Sequence, residues 1–249
     1  VKIEYKKPYW AKYKWELDEL DKSQLVFITP FNKVNSNELC NFIYEEDFLI
    51  MCKFKIEDGF KKDTKAGIYG KSGQNFGLNF DYSIDSLVFE FRTENSKNDI
   101  EFHCIIIDKV NSKLINDGVN ILVVKNKGKI TIYCNSDIVS KYEYSGDLFI
   151  KEYTNSPIYL GCLNPGAKDK KDRCYSEINI EHFSITIKNN SIENILKLVN
   201  NEFYDLPMKS YYDDILCLYD FKMTNNDGII FDNSKYSHFL ELVPKEFIL

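Results

Sequence analysis

The chain has 249 residues, 44% of them apolar and 15% aromatic, with a formal net charge of −6. That is enough apolar material for one sizeable core, and because the lysines are scattered among Asp and Glu there is no coherent basic face for a nucleic-acid duplex. No apolar run approaches the roughly 18 residues a membrane-spanning helix needs.

Residues 1–35 carry both tryptophans and read as an N-terminal arm or linker, ahead of a domain over 36–249. Leu17, Leu20 and Leu25 predict a short helix over 15–25. The chain opens on Val1 and its first residues show no signal-peptide pattern. From 47 to 187 the pattern turns into short strands separated by turns, expected at 48–56, 75–82, 86–92, 100–108, 119–125, 129–134, 157–162 and 177–188. Leu87, Phe89 and Phe91 take alternate positions, as in a strand with one buried face. Asn126-Lys127-Gly128 makes a hairpin-like connection between two of the runs. Ile192, Ile195, Leu196 and Val199 give a helical spacing over 191–199, with Ser191 placed to cap it. Many evenly spaced strands with no α/β alternation predict an all-β fold of antiparallel sheets, a sandwich or barrel, with one or two short helices.

The stretch AGIYGKSGQNFG, 66–77, looks at first like a phosphate-binding loop. Such a loop needs a glycine five residues before its Gly-Lys-Ser triplet and a helix after it. Here Lys65 stands five before Gly70, and the residues after Ser72 alternate like a strand. Both requirements fail, and the stretch reads as a hairpin turn with glycines where φ must be positive.

Seven cysteines at wide spacing, Cys40, Cys52, Cys104, Cys134, Cys162, Cys174 and Cys217, form neither a disulfide framework nor a zinc motif. Most lie in apolar runs, where a reduced Cys acts as a small core residue. Cys162 and Cys174 flank a polar loop and are the one pair placed to bridge. Unpaired cysteines without a signal peptide favour the cytoplasm.

Four pieces of the chain, in order, resemble a known module. GIYGKSGQNFGLNFDYSIDSLVFEF resembles a hairpin of concanavalin A-like, laminin-G-like jelly-roll domains. GVNILVVKNKGKITIYCNSDIVSKYEYSGDL resembles their successive strands with a turn, a second turn and a return. SPIYLGCLN and EINIEHFSITIKNNSIENILKLV resemble the later strand and the closing strand–helix signature. The likeness covers 42–200. It implies a jelly-roll β-sandwich of two antiparallel sheets. One piece is out of order: LCLYDFKMTNNDGIIFDNSKYSHFLEL, 216–242, resembles the opening strands of such modules, a version of which clostridial neurotoxin binding domains also carry. Its apolar residues need burial, so these strands are expected to complete the sheet rather than to start a second module.

Enzymes of that superfamily that cut β-glucans place three acids at two-residue spacing on one strand. Glu16-Leu17-Asp18-Glu19-Leu20-Asp21 ends in Asp at helical spacing, and Glu45-Glu46-Asp47 has the wrong spacing. No catalytic residue is assigned. His182 falls in step with Ile178 and Ile180, as a hydrogen-bonded core or sheet-edge residue would. His103 and Cys104 are strand neighbours pointing to opposite faces, which rules out a dyad from that pair. The resemblance therefore implies a non-catalytic, lectin-like module of a larger glycan-processing polypeptide, with glycan or polysaccharide and the other domains of that polypeptide as partners. A protein-interaction or adhesion module of laminin-G or toxin-binding type is the alternative, and a glycoside hydrolase or lyase on the same fold the third. Sugar binding calls for an aromatic platform flanked by amides, carboxylates or Arg. On or beside the first hairpin, Tyr69, Gln74, Asn75, Asn79, Asp81 and Arg92 make that set. No cofactor is required; if the module holds calcium, as its likeness to laminin-G and lectin modules implies, the candidate ligands are Asp169, Asp172, Asp232 and Asn233.

Overall fold

The computed structural model describes residues 25–28, 47–56, 65–71, 76–148, 158–163, 174–175, 178–187, 215–224, 229–232 and 240–244. Within them the β-branched and aromatic runs form strands. These are β1 (Leu25–Ile28), β2 (Asp47–Ile56), β3 (Lys65–Lys71), β4 (Phe76–Asp81), β5 (Ser86–Glu94) and β6 (Ile100–Ile107). After a short helix, α1 (Ser112–Asp117), come β7 (Val119–Asn126), β8 (Lys129–Cys134), β9 (Asp137–Glu143), β10 (Ile158–Leu160), β11 (Cys162–Leu163) and β12 (Cys174–Tyr175). The last are β13 (Ile178–Ile187), β14 (Ile215–Thr224), β15 (Ile229–Asp232) and β16 (Leu240–Pro244).

Their ladders join into one 14-stranded antiparallel sheet, in the order β6-β5-β4-β3-β10-β1-β16-β15-β14-β13-β2-β7-β8-β9, with β11 and β12 forming a second, two-stranded sheet. The long sheet folds over on itself. Strands far apart in that order meet through their inward side chains: Phe48 on β2 lies edge-on to Phe76 on β4 at 6.0 Å, and Tyr69 on β3 meets Phe183 on β13 at 5.6 Å. The two ends of the sheet meet as well, with Phe91 on β5 set edge-on to Tyr142 on β9 at 6.1 Å. The result is the all-β antiparallel sandwich the strand pattern predicts. Its layers are two ends of one sheet rather than separate sheets. Between them lies a single apolar core, to which β2, β4, β5, β7 and β13 contribute alternate residues.

Two turns show how local sequence sets this up. Lys127 (φ 43°) and Gly128 (φ 76°) link β7 to β8, and Asn135 (φ 47°) and Ser136 (φ 79°) link β8 to β9. A two-residue loop with both φ values positive matches the twist of the strands it joins. α1 interrupts the strand series: Asn111 accepts a hydrogen bond from the Leu114 N–H at 3.1 Å, and only Ile115 of the helix is buried. Sequence spacing missed this helix because six residues carry too little periodicity.

Several expectations are corrected. The 66–77 stretch does form a hairpin, since β3 pairs with β4, but Gly70 and Lys71 belong to its first strand rather than to a turn, and Lys71 is buried opposite Phe76; residues 72–75 lie outside the described residues. Within the segment read as an arm, Leu25–Ile28 pair with β10 on one side and β16 on the other. The helix expected at 15–25 ends in strand at Leu25, and its remainder, like the helix at 191–199, lies outside the described residues. In the backbone register Cys162 stands opposite Tyr175 and Cys174 opposite Leu163, so the two cysteines are not ladder partners. Apart from these corrections, the C-terminal β14 pairs with β13, and β15 and β16 carry the sheet on to β1.

Candidate functional site

The outward face of β3–β6 collects the polar residues singled out in the sequence, with one exception. On β4, Phe76, Leu78 and Phe80 enter the core, so Gly77, Asn79 and Asp81 take the other face. On β5 the same alternation sends Val88, Glu90 and Arg92 outward. The exception is Tyr69. In step with Lys65 and Gly67 it would face outward, but the ladder shifts between Gly67 and Tyr69, leaving Ile68 as an extra, bulged residue. Tyr69 is thereby turned into the core, packed against Phe183, with its phenol pushed well above its usual pKa by burial and then by Cys52. It cannot serve as a sugar platform. Gln74 and Asn75 lie outside the described residues, as do Asp169, Asp172 and Asn233; of Asp232 only the backbone, ending β15, is described.

The remaining residues, with two that the sequence reading missed, form a connected cluster. Lys65 Nζ lies 3.1 Å from Glu90 Oε1 and 3.9 Å from Asp81 Oδ2. In the ladder, Lys65 shares a row with Asp81 and Ser86, whereas Glu90 shares one with Gly77. The row Gly67–Asn79–Val88 runs between them, so the ion pair spans Asn79. Beneath it Asn79 is 0% exposed, and neither its Nδ2 nor its Oδ1 has a hydrogen-bond partner. Asp81 also accepts hydrogen bonds from the Ser83 N–H (2.9 Å) and hydroxyl (2.5 Å), which close the turn between β4 and β5. Arg92 is half-buried, pairs across the ladder with Phe102, and makes no ion pair among the described residues. The Cys104 thiol, on the same face, is held above its usual pKa by burial and by the Glu90 and Asp81 carboxylates, with Lys65 opposing them.

The aromatic surface of this face is Phe102, 50% exposed on β6. Sequence reasoning passed over it because Ile100–Ile107 is apolar at almost every position, so no alternation says which row is buried.

The described histidines are held in structural roles. His103 is buried against the Phe91 ring, with centroids 4.7 Å apart, its Nε2 2.8 Å from Thr93 Oγ1 and its Nδ1 3.1 Å from Tyr142 Oη. It points inward while Cys104 points out, as their adjacency requires. His182 is not in step with Ile178 and Ile180. The ladder to β2 shifts between Ile180 and His182, so Phe183 takes the inward place and His182 sits half-buried, 3.1 Å from Ser184 Oγ. Among the described residues no three His, Cys, Asp or Glu side chains come together as metal ligands. What the cluster offers is non-covalent: two carboxylates, an amide and a guanidinium beside an exposed ring.

Together these features define an antiparallel β-sandwich with a polar, partly aromatic outward face. No protein-family model and no curated protein matches the chain. Solved structures do. The chain resembles a protein of Bacteroides ovatus, provisionally described as carbohydrate-binding, with a TM-score of 0.57 at 13% identity over 88% of this chain and 57% of that one. It is also similar to the binding domain of Paraclostridial Mosquitocidal Protein 1, with a TM-score of 0.47, 18% identity, and 72% and 41% covered. A further likeness is to botulinum neurotoxin type C, whose cell entry depends on interaction with two ganglioside molecules (TM-score 0.48, 21% identity, 71% and 39% covered). At these identities the likeness concerns the fold, and the chain spans about half the length of these structures or less.

Proposed function

We propose that this chain is a non-catalytic, lectin-like carbohydrate-binding module of concanavalin A-like or laminin-G-like type, working within a larger glycan-processing polypeptide. The observation that carries the reading is the buried, unpartnered Asn79 amide on the outward face, lying under the Lys65–Glu90 ion pair. A polar side chain so placed lacks the hydrogen bonds that burial normally requires. Sugar hydroxyls, which both donate and accept, supply them when the Lys65 and Glu90 side chains part to admit the ligand. Asp81, Glu90 and Arg92 then fix further hydroxyls, while the apolar face of a pyranose rests on Phe102. The likeness in fold to a protein described as carbohydrate-binding supports the same reading.

The test is a glycan array with the purified chain, in calcium and in chelator. A reproducible hit, lost in Phe102→Ala and weakened in Arg92→Gln, is the expected result. Loss in chelator alone shows that binding needs calcium, for which Asp169, Asp172, Asp232 and Asn233 are the candidate ligands. A blank in both conditions overturns the reading. The alternative, a protein-interaction module, is favoured by the exposed apolar row on β6, and a blank array together with capture of a defined protein partner would establish it.

A further inference from the structure

β6 is one end of the long sheet and, among the described residues, pairs only with β5, through eight consecutive positions with no bulge. A strand edge left open is a template for another strand, and proteins normally blunt it with Lys, Pro, a bulge or short length. The opposite end of the sheet is blunted in this way. β9 carries Asp137, Lys141 and Glu143, and its ladder with β8 shifts between Ile132 and Tyr133. β6, with the sequence IEFHCIII, has no Lys, no Pro and one charge, Glu101. Among the described residues its free edge makes no backbone hydrogen bond. Its outward row is apolar and open: Ile100 is 54% exposed, Phe102 50% and Ile106 56%, with Cys104 exposed between them.

We propose that β6 is the seat of a homodimer, in which β6 of a second copy of this chain pairs with it antiparallel about a two-fold axis at Cys104. A two-fold axis perpendicular to the sheet keeps outward residues on one face, so even positions must meet even positions. Centring on Cys104 sets Phe102 opposite Ile106 of the second copy, Ile106 opposite its Phe102, and the two Cys104 residues opposite each other. The charges at the strand ends suit this register. It brings the Asp99 end of one strand beside the Lys109 end of the other, twice by symmetry. Centring on His103 would instead bring Lys97 toward Lys109, a like-charge pairing that disfavours it. Glu101 meets Ile107 of the second copy rather than its own counterpart.

The pairing makes the two outward faces one continuous surface, so a multivalent glycan would be held twice. That consequence rests on the glycan reading; the dimer does not. The test is sedimentation of the purified chain over a concentration series, with Ile106→Lys as the variant. Ile106 is exposed and outside the core, so the variant keeps its far-UV circular dichroism. The expected result is a reversible dimer whose dissociation constant rises on the order of tenfold or more in the variant. In parallel, diamide, which takes two electrons and two protons from a thiol pair, should trap the dimer as a disulfide in the otherwise native chain. Cys104→Ser should abolish that product, since facing positions of an antiparallel pair lie within disulfide reach. A wild-type chain that stays monomeric throughout the series overturns the proposal. So does a dimer that survives Ile106→Lys or that cross-links without Cys104.

Discussion

Replacing Asn79 with Leu should make the protein more stable while removing its ligand binding. The side chain is 0% exposed, and both Nδ2 and Oδ1 are without partners. An unsatisfied buried polar group is destabilising by about 1–3 kcal/mol, because its water hydrogen bonds are lost on folding and not replaced. Leu has nearly the same shape and loses nothing on leaving water. Allowing for imperfect fit, the net gain should be about 2 kcal/mol, which in a chain of this length raises Tm by roughly 4–8 °C. Urea denaturation followed by tryptophan or tyrosine fluorescence measures it, as a higher midpoint at unchanged slope. The same variant should lose its array signal, since the amide supplies the hydrogen bonds assigned to it. Destabilisation by more than about 1 kcal/mol would refute the argument, because it would mean that the amide is satisfied in the folded protein. Stabilisation with binding intact would separate the two halves: the amide would be unpartnered, and the ligand would lie elsewhere.

Two further predictions concern stability alone. Gly146 has φ +85°, and a Cβ there would stand 2.8 Å from the Glu94 carbonyl oxygen. That carbonyl accepts from the Asp147 N–H at 3.0 Å, closing the bridge between the end of β5 and the chain after β9. Gly146→Ala should therefore destabilise by at least about 1–2 kcal/mol, seen as a lower urea midpoint; an unchanged midpoint would show that this bridge contributes nothing. Burial and then the Asp137 carboxylate push the Cys134 thiol from 9.0 up to about 11. The folded state thus keeps a proton that the unfolded state releases, so stability is present in full below pH 9 and falls as pH rises from 9 towards 11. Unfolding midpoints should decline across that window, and Cys134→Ala should make the decline shallower, with the raised Cys52 and Cys104 thiols still contributing to it.

Much of the strand pattern can be read from single residues. The alternation Leu87-x-Phe89-x-Phe91 marks a strand and its buried face at once, and β5 is built as that alternation requires. The turn at Lys127-Gly128 and the rejection of a phosphate loop at Gly70-Lys71-Ser72 rest on equally local stereochemistry. Asn79, Asp81 and Arg92 could be placed near one another because a hairpin's register follows from its turn. Beyond that range local pattern says little. Lys65 and Glu90, which complete the cluster, are 25 residues apart and meet only across three strands. Phe102 was hidden because a strand apolar on both faces has no alternation to read.

What the sequence by itself determined about this protein is its class: where the strands lie, and that they form an antiparallel all-β fold. These depend on side-chain period and turn stereochemistry, which act over a few residues. Tertiary structure alone decided which strands become neighbours, with β14 returning to β13 and β1 entering between β10 and β16. It also decided which way individual residues point. At Ile68 and at Glu181 one extra residue enters a strand, and everything beyond it changes face. Tyr69 is carried into the core and His182 out of it. The physical reason is the two-residue period of a strand: a single bulge, set by packing against distant partners, inverts an assignment that local alternation makes.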